Sequence, residues 1–159
     1  EGANFFADLS AFSCVIHLRS FGKFFGLAGV RLGFAIASQT HSDSMAGMLG
    51  PWALNNVALI AGTMALCDDA WIANQKATLE RQSAELAEML TNANLEIIGG
   101  TLLFQTIRDA DAVSLHTHLA KAGIWTRVYR EWPDLMRFGL PRDTNEMDQL
   151  YNSIKIWRS

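Results

Sequence analysis

Cysteine is scarce in this chain, and its two cysteines lie far apart. Cys14 and Cys67 are the only cysteines among the 159 residues, and no CxxC pair occurs. This excludes a disulfide-stapled scaffold and a zinc site held by cysteine thiolates. Unpaired thiols, together with the lack of a recognisable secretory leader, predict a cytoplasmic protein.

Charge is also low, and basic residues are not in excess. Charged residues make up 18% of the chain, with 13 Lys and Arg against 16 Asp and Glu. A broad nucleic-acid-binding face needs clustered, excess positive charge. Nucleic acid is therefore not an expected partner.

The longest uncharged stretch runs from Ser44 to Cys67. A helix that crosses a membrane needs roughly 20 consecutive, mostly apolar residues. A Gly-Pro and an Asn-Asn dipeptide interrupt this stretch, which leaves residues 57–67 as its unbroken apolar run. That run is too short to span a bilayer and predicts a buried core helix, so no membrane partner is expected.

Hydrophobic residues make up 50% of the chain, which is enough for a sizeable core. The hydrophobic patterns predict an α/β fold. Residues 1–66 are rich in glycine and aromatic residues, and residues 67–159 read as a compact α+β unit. The patterns of the first part predict strands at 11–18 and 31–37 and helices near 40–49 and 52–66.

The second part alternates helical and extended patterns. A helix should begin at Asp68 or Asp69 and reach residue 93, and two apolar runs predict a hairpin around Gly99-Gly100. A helix over 112–122 should end at Gly123. The segments IWTRVY and LMRFGL read as short strands. The last helix should begin at Asp143, with the glutamate three residues later completing a capping box.

The densest chemical signal is the segment RSFGKFFGLAGVRLGF, residues 19–34. It places Lys23 after a hydrophobic strand and among four glycines, with a hydroxyl at Ser20 and a guanidinium at Arg31. Such groups suit a phosphate, and a lysine in apolar surroundings near another cation is a good nucleophile towards carbonyls. A solvated lysine on a glycine-rich turn is the simpler interpretation. A Walker A loop is excluded, because Phe24 follows the lysine where Ser or Thr is required.

The stretch SFGKFFGLAGVRLGF closely resembles the lysine segment of fold-type I pyridoxal-phosphate enzymes, in the class I/II aminotransferase family. That segment has Ser, two residues, Lys, then Gly-Leu-Ala-Gly and an Arg. The resemblance implies that Lys23 is the catalytic lysine that binds pyridoxal 5'-phosphate covalently, and that Ser20 and Arg31 bind the cofactor phosphate. It also implies that residues 1–66 end a large domain with a mixed or parallel sheet, and that residues 67–159 form a small C-terminal α+β domain.

Four further motifs, LGPWALNNVAL, GGTLLFQ, GIWTR and LMRFGLP, occur in the family's order. Together they look most like the threonine-phosphate decarboxylase branch of cobalamin biosynthesis, with histidinol-phosphate aminotransferases as close relatives. The resemblance implies that Arg137 pairs with the α-carboxylate of a phosphorylated amino-acid substrate and that Arg127 helps hold its phosphate. No metal site is expected, because His116 and His118 are two residues apart on a predicted helix and face different ways.

The resemblance covers only the C-terminal half of the family's architecture. The substrate arm, the glycine-rich phosphate loop, the aromatic residue that stacks on the pyridine ring and the asparagine at its 3' oxygen have no counterpart here. Ala3 stands where the family has the aspartate that pairs with the pyridine nitrogen, and Asp8 is a candidate substitute. We therefore expect a truncated chain that is catalytically incompetent as it stands.

Three hypotheses follow for this chain. It is a fragment of a threonine-phosphate decarboxylase, a fragment of a histidinol-phosphate-type aminotransferase, or a non-catalytic module that binds itself or a partner. Loss of half of a parallel sheet would expose strand edges and apolar faces. We therefore expect a homo-oligomer, a dimer or larger, that buries residues 1–66.

Overall fold

The computed structural model describes residues 14–158. In order, the elements are β1 (His17–Ser20), a 3-10 turn (Ala28–Val30), β2 (Gly33–Ile36), α1 (Gln39–Leu49), α2 (Asn56–Leu66), α3 (Asp69–Asn92), β3 (Glu96–Thr101), β4 (Phe104–Arg108), α4 (Ala112–Lys121), β5 (Arg127–Val128), β6 (Leu135–Gly139) and α5 (Thr144–Arg158). The chain divides into two compact units. The first ends at Trp71 and the second begins at Ile72.

In the first unit, β1 and β2 form an antiparallel ribbon in which Ser20 lies opposite Gly33. An antiparallel pair is compatible with the mixed sheet expected of this part. The first unit has a small hydrophobic core next to this ribbon. Its buried residues are Phe21, Leu32 and Ala58. This small core fixes the segment between the two strands, where Lys23 lies.

Helix α2 begins later than the pattern of apolar residues predicts. The side-chain Oδ1 of Asn55 accepts a hydrogen bond from the backbone N–H of Ala58 at 2.8 Å. Asparagine at this position satisfies one of the free N–H groups of the first turn. The helix therefore begins at Asn56 rather than at residue 52, and residues 51–54 form a turn.

The prediction that residues 57–67 form a buried core helix is wrong for most of its side chains. Val57, Ile60 and Met64 are 70%, 62% and 69% exposed, whereas Ala58 is fully buried. Only one stripe of small residues on α2 is covered, because Leu32 and the neighbouring 3-10 turn occupy that side. Self-association through these exposed side chains stays a prediction.

Within residues 14–158, no single helix is long and apolar enough to cross a membrane. The pair α2 and α3 reaches that length and composition only when the two helices are counted together across the break between them.

The second unit is a four-stranded antiparallel sheet with strand order β3-β4-β6-β5. Its strands alternate, so that Ile107, Met136 and Phe138 face a core that α3, α4 and α5 also supply. The helical side chains buried in that core are Leu86, Met89, Leu90, Ala112, Leu115, Leu119, Leu150 and Ile154. The opposite face of the sheet carries Thr106 and Arg137 together with the aromatic ring of Phe104, and the candidate site uses this face.

The predicted hairpin forms, but its turn does not lie at Gly99-Gly100. Both glycines lie within β3, and the turn is at residues 102–103, where the Thr101 hydroxyl accepts a hydrogen bond from the N–H of Leu103 at 3.1 Å. A Cβ at Gly100 would lie 2.7 Å from the carbonyl oxygen of Phe104 and would clash with the side-chain oxygen of Gln105. Gly100 is therefore required for close approach across the strands rather than for a turn.

We predict that Gly100→Ala destabilises the second unit by about 1–3 kcal/mol, because the backbone carbonyl of Phe104 cannot move without shifting the ladder. The free energy of unfolding in urea measures this loss. Gly99→Ala is the matched control, since a Cβ there meets nothing within 4 Å. Equal losses in both variants would contradict the steric explanation and point to a general effect of glycine replacement.

Candidate functional site

Lys23 lies at the exposed tip of a turn that is held by backbone hydrogen bonds. The N–H of Gly26 donates to the Lys23 carbonyl at 2.9 Å, and the N–H of Leu27 donates to the Phe21 carbonyl at 2.9 Å. Phe21 is only 3% exposed and anchors the base of the turn. These hydrogen bonds fix the backbone of the turn that contains Lys23. The Lys23 side chain is exposed, so its amine is accessible to solvent and to a ligand.

Aromatic rings support this turn. Phe25 stacks on Phe21 with ring centroids 4.3 Å apart, and Trp71 also stacks on Phe25, with centroids 5.7 Å apart. Phe24 meets Trp71 edge to face at 5.9 Å. The sequence analysis gave Trp71 no part in the site, because spacing along the chain carries no signal for a contact nearly fifty residues away.

Ser20 and Arg31 each contact the backbone of the loop that carries Lys23. The Ser20 hydroxyl accepts a hydrogen bond from the N–H of Gly22 at 3.1 Å. A Cβ at Gly22 would lie 3.3 Å from the Cβ of Ala28 and 3.4 Å from the Ser20 hydroxyl, so the backbone approaches closely here. A guanidinium nitrogen of Arg31 donates to the Ala28 carbonyl at 3.1 Å.

Arg31 also has an unusual backbone conformation. Its φ of 59° and ψ of 42° place it in the left-handed helical region. For a residue with a side chain this costs roughly 1–2 kcal/mol, and such strain is concentrated at functional sites. The loop therefore holds a hydroxyl, a guanidinium and an exposed amine in one short segment. These groups fit a phosphate and an aldehyde, which are the reactive ends of pyridoxal phosphate.

The second unit brings two arginines together on the face of the sheet that the helices leave uncovered. Arg127 on β5 lies directly opposite Arg137 on β6. On the other side of β6, Arg137 lies opposite Thr106 of β4. Because directly opposite residues of antiparallel strands point to one face, these three side chains share that face.

Two like charges directly opposite each other destabilise a sheet. Among residues 14–158, neither Arg127 nor Arg137 lies within 4.0 Å of a carboxylate. Each guanidinium instead lies near an aromatic ring, that of Tyr129 at 5.8 Å for Arg127 and that of Phe104 at 4.8 Å for Arg137. Two uncompensated guanidinium groups on one face are suited to an anionic ligand with more than one acidic group.

The two histidines that were weighed as metal ligands have separate partners. His116 Nδ1 lies 2.8 Å from the Thr126 hydroxyl, and His118 Nε2 lies 3.0 Å from the Ser153 carbonyl oxygen. Within the described part of the chain, no group of three or more His, Cys, Asp or Glu side chains could hold a metal ion.

Residues 3–154 match the family described as aminotransferase class I and II. The chain belongs to this family. The chain is 42% identical over 129 residues to a threonine-phosphate decarboxylase of Pseudomonas aeruginosa. That match covers 81% of the chain and 39% of the relative. The chain is 34% identical over 116 residues to histidinol-phosphate aminotransferase 1 of Dechloromonas aromatica, with 73% and 32% covered. The family resemblance of the lysine segment is thereby confirmed.

Solved structures show the same fold for this aminotransferase-family chain. The match to the histidinol-phosphate aminotransferase of Clostridium acetobutylicum covers 98% of this chain and 49% of the solved chain, with a TM-score of 0.86 and 19% identity. The histidinol-phosphate aminotransferase of Sinorhizobium meliloti, solved in complex with pyridoxal-5'-phosphate, matches 95% of the chain and 44% of its own, with a TM-score of 0.74 and 18% identity. The α/β expectation is confirmed. The chain spans about two fifths of the length of the first curated relative.

Proposed function

We propose that a polypeptide containing these residues is a pyridoxal-phosphate-dependent decarboxylase of a phosphorylated amino acid, of the threonine-phosphate type found in cobalamin biosynthesis. The observation that carries the proposal is the pair Arg127 and Arg137, registered opposite each other with no carboxylate close by in the described residues. Such a pair suits a substrate with both a carboxylate and a phosphate. The 42% identity to a threonine-phosphate decarboxylase supports this choice.

In this proposal the loop from Ser20 to Arg31, which contains Lys23, binds the cofactor. Ser20 and Arg31 hydrogen bond the cofactor phosphate, and the exposed amine of Lys23 binds its aldehyde carbon. When bound, pyridoxal phosphate supplies an electron sink for negative charge at the α-carbon of an amino acid. The proposal for these two residues is supported by the family resemblance and by their place at the two ends of one glycine-rich loop, where the Ser20 hydroxyl lies against Gly22 and the Arg31 guanidinium against the Ala28 carbonyl.

The sheet face binds the substrate. Arg137 pairs with the α-carboxylate through two parallel hydrogen bonds, which fixes the direction of the bond that breaks. Arg127 binds the substrate phosphate. When the bond to the carboxylate carbon breaks, carbon dioxide leaves and the electron pair stays at the α-carbon. By the family resemblance, the Lys23 amine would be released from the cofactor when the substrate amine takes its place, and it would then return a proton to that carbon.

Catalysis is proposed for the longer polypeptide and not for the 159 residues alone. By the family resemblance, Ala3 occupies the position of the aspartate that pairs with the pyridine nitrogen, and neither Ala3 nor the candidate substitute Asp8 lies within the described residues. The 159 residues should nevertheless retain the two anion-binding groups.

The arginine assignment is tested by titrating this chain with three ligands and following its amide signals by NMR. O-phospho-L-threonine carries both acidic groups, O-phosphoethanolamine lacks the carboxylate, and L-threonine lacks the phosphate. We expect the first to bind most tightly. Arg137→Gln should abolish its advantage over O-phosphoethanolamine, and Arg127→Gln should abolish its advantage over L-threonine.

Arg130→Gln is the matched control, because Arg130 is an exposed arginine just after β5 and is not one of the registered pair. It should leave all three affinities unchanged. Equal binding of the three ligands to the unmodified chain would contradict the proposed substrate site.

A histidinol-phosphate-type aminotransferase is the second candidate, favoured by the 34% identity to such an enzyme. Assays of a longer polypeptide that contains these residues distinguish the two activities. Release of carbon dioxide from O-phospho-L-threonine would identify a decarboxylase. Conversion of the cofactor to its amine form, without carbon dioxide, would identify an aminotransferase.

A further inference from the structure

Phe104 occupies a position from which its ring can hold the Arg137 side chain. It lies on β4 two residues before Thr106, which is opposite Arg137, so both side chains lie on the same face of the sheet. The Arg137 Cζ lies 4.8 Å from the centre of the Phe104 ring. This is within the range of a cation–π interaction, and both side chains are half-buried.

A neighbouring arginine on the same sheet shows the alternative arrangement. Arg108 is also on β4, and its Nε lies 3.2 Å from a carboxylate oxygen of Asp134. A carboxylate holds a guanidinium firmly but also occupies the hydrogen-bond donors and neutralises the charge that an anionic ligand needs. An aromatic ring contacts only the flat face of the guanidinium and leaves the donors at its edge free.

We propose that Phe104 is a positioning residue for Arg137. Its ring restricts the guanidinium to one plane while leaving its edge donors and its charge to an anionic ligand. The inference rests on the proposed function, in which Arg137 binds the substrate carboxylate. Because the side chain is ordered before the ligand arrives, less conformational entropy is lost on binding. Arg127 has the same kind of support from the ring of Tyr129, at 5.8 Å.

The test compares Phe104→Leu, which removes the ring and keeps an apolar side chain, with Phe104→Tyr, which keeps the ring. The first readout needs no ligand and is the side-chain Nε–Hε signal of Arg137, assigned by its disappearance in Arg137→Gln. A ring close to the guanidinium shifts this signal and restricts its motion. Phe104→Leu should abolish the shift and increase the motion, and Phe104→Tyr should preserve both.

The second readout is the affinity for O-phospho-L-threonine. An interaction of this kind corresponds to a loss of about three- to tenfold in Phe104→Leu and to little loss in Phe104→Tyr. The affinity for O-phosphoethanolamine should not change, because that ligand has no carboxylate for Arg137. A merely structural role of Phe104 would lower both affinities together.

The outcomes separate this inference from the proposed function. An unchanged Arg137 signal and unchanged affinity in Phe104→Leu would overturn the positioning role, whatever Arg137 binds. If Arg137→Gln leaves the affinity of O-phospho-L-threonine unchanged, the proposed substrate site fails, and the ligand-free NMR signal still decides whether Phe104 orders Arg137. The free energy of unfolding of both variants in urea shows whether the sheet itself has been disturbed.

Discussion

Lys23→Ala is expected to abolish a site-specific pyridoxal adduct. The chain would be mixed with one equivalent of pyridoxal phosphate, reduced with borohydride and mapped by mass spectrometry. Lys23, Lys76, Lys121 and Lys155 are the chain's four lysines, and all four are exposed. Accessibility alone would therefore label them alike. Any strong preference for Lys23 has to come from a second contact with the cofactor.

That second contact is the cofactor phosphate, bound by Ser20 and Arg31. A hydrogen bond to a charged group contributes about 1.5–3 kcal/mol, which corresponds to roughly a ten- to hundredfold preference for Lys23 over the other lysines. Arg31→Asn should reduce this preference to near unity. Asparagine suits that substitution because it tolerates the left-handed backbone conformation of Arg31 and so removes the charge without adding strain.

Lys121→Ala is the matched control for this labelling experiment. It removes an equally exposed lysine at the end of α4 and should leave the Lys23 adduct intact. Even labelling of all four lysines in the unmodified chain would contradict a cofactor site in the loop. It would mean that the motif around Lys23 persists without its binding function.

Hydrophobic periodicity predicts the helices of the second unit well, because long amphipathic segments carry a repeated signal. The apolar positions along residues 69–92 mark one face, and Leu79, Leu86 and Leu90 are buried on it. Asp143 accepts a hydrogen bond from the N–H of Glu146 at 3.0 Å, as the capping pattern predicts. The Glu146 carboxylate, however, accepts from the N–H of Arg142 rather than from that of Asp143.

The pairing of the two arginines, which sequence reasoning missed, depends on contacts between distant segments. A period of two places Phe104 and Thr106 on one face of β4, but the register that sets Arg137 opposite Thr106 and Arg127 opposite Arg137 is fixed only by the packed sheet. The hairpin turn differs from the prediction for a local reason. Glycine is usually a sign of a turn, whereas Gly100 is needed where the Gln105 side chain and the Phe104 carbonyl approach β3.

Individual residues of the site were easier to predict than their surroundings. Lys23, Ser20 and Arg31 stand out because hydroxyl, amine and guanidinium groups are concentrated in one short glycine-rich segment. Nothing in that segment predicts the left-handed conformation of Arg31, or that Trp71 stacks on Phe25. The reactive and charged side chains can be recognised in the sequence, whereas the aromatic rings that pack around them are apparent only from the structure.

Leu115→Ala is expected to destabilise the second unit by about 3–5 kcal/mol. Leu115 is fully buried on α4 in the core that supports the sheet, and removing its branched end leaves a cavity that its rigid neighbours cannot fill. The free energy of unfolding in urea measures this loss. Val113→Ala on the same helix is the matched control, because Val113 is 47% exposed and should lose less than about 0.5 kcal/mol.

The same pair of variants separates the stability of the sheet from the function of its exposed face. Leu115 lies among the core helices, whereas Arg127 and Arg137 lie on the opposite face of the sheet. In conditions where Leu115→Ala remains folded, its affinity for O-phospho-L-threonine should therefore match that of the unmodified chain. Arg137→Gln should show the reverse, with weaker binding and little change in the urea midpoint. A large loss of affinity in folded Leu115→Ala would show instead that the spacing of the two arginines depends on the packing of the core beneath them.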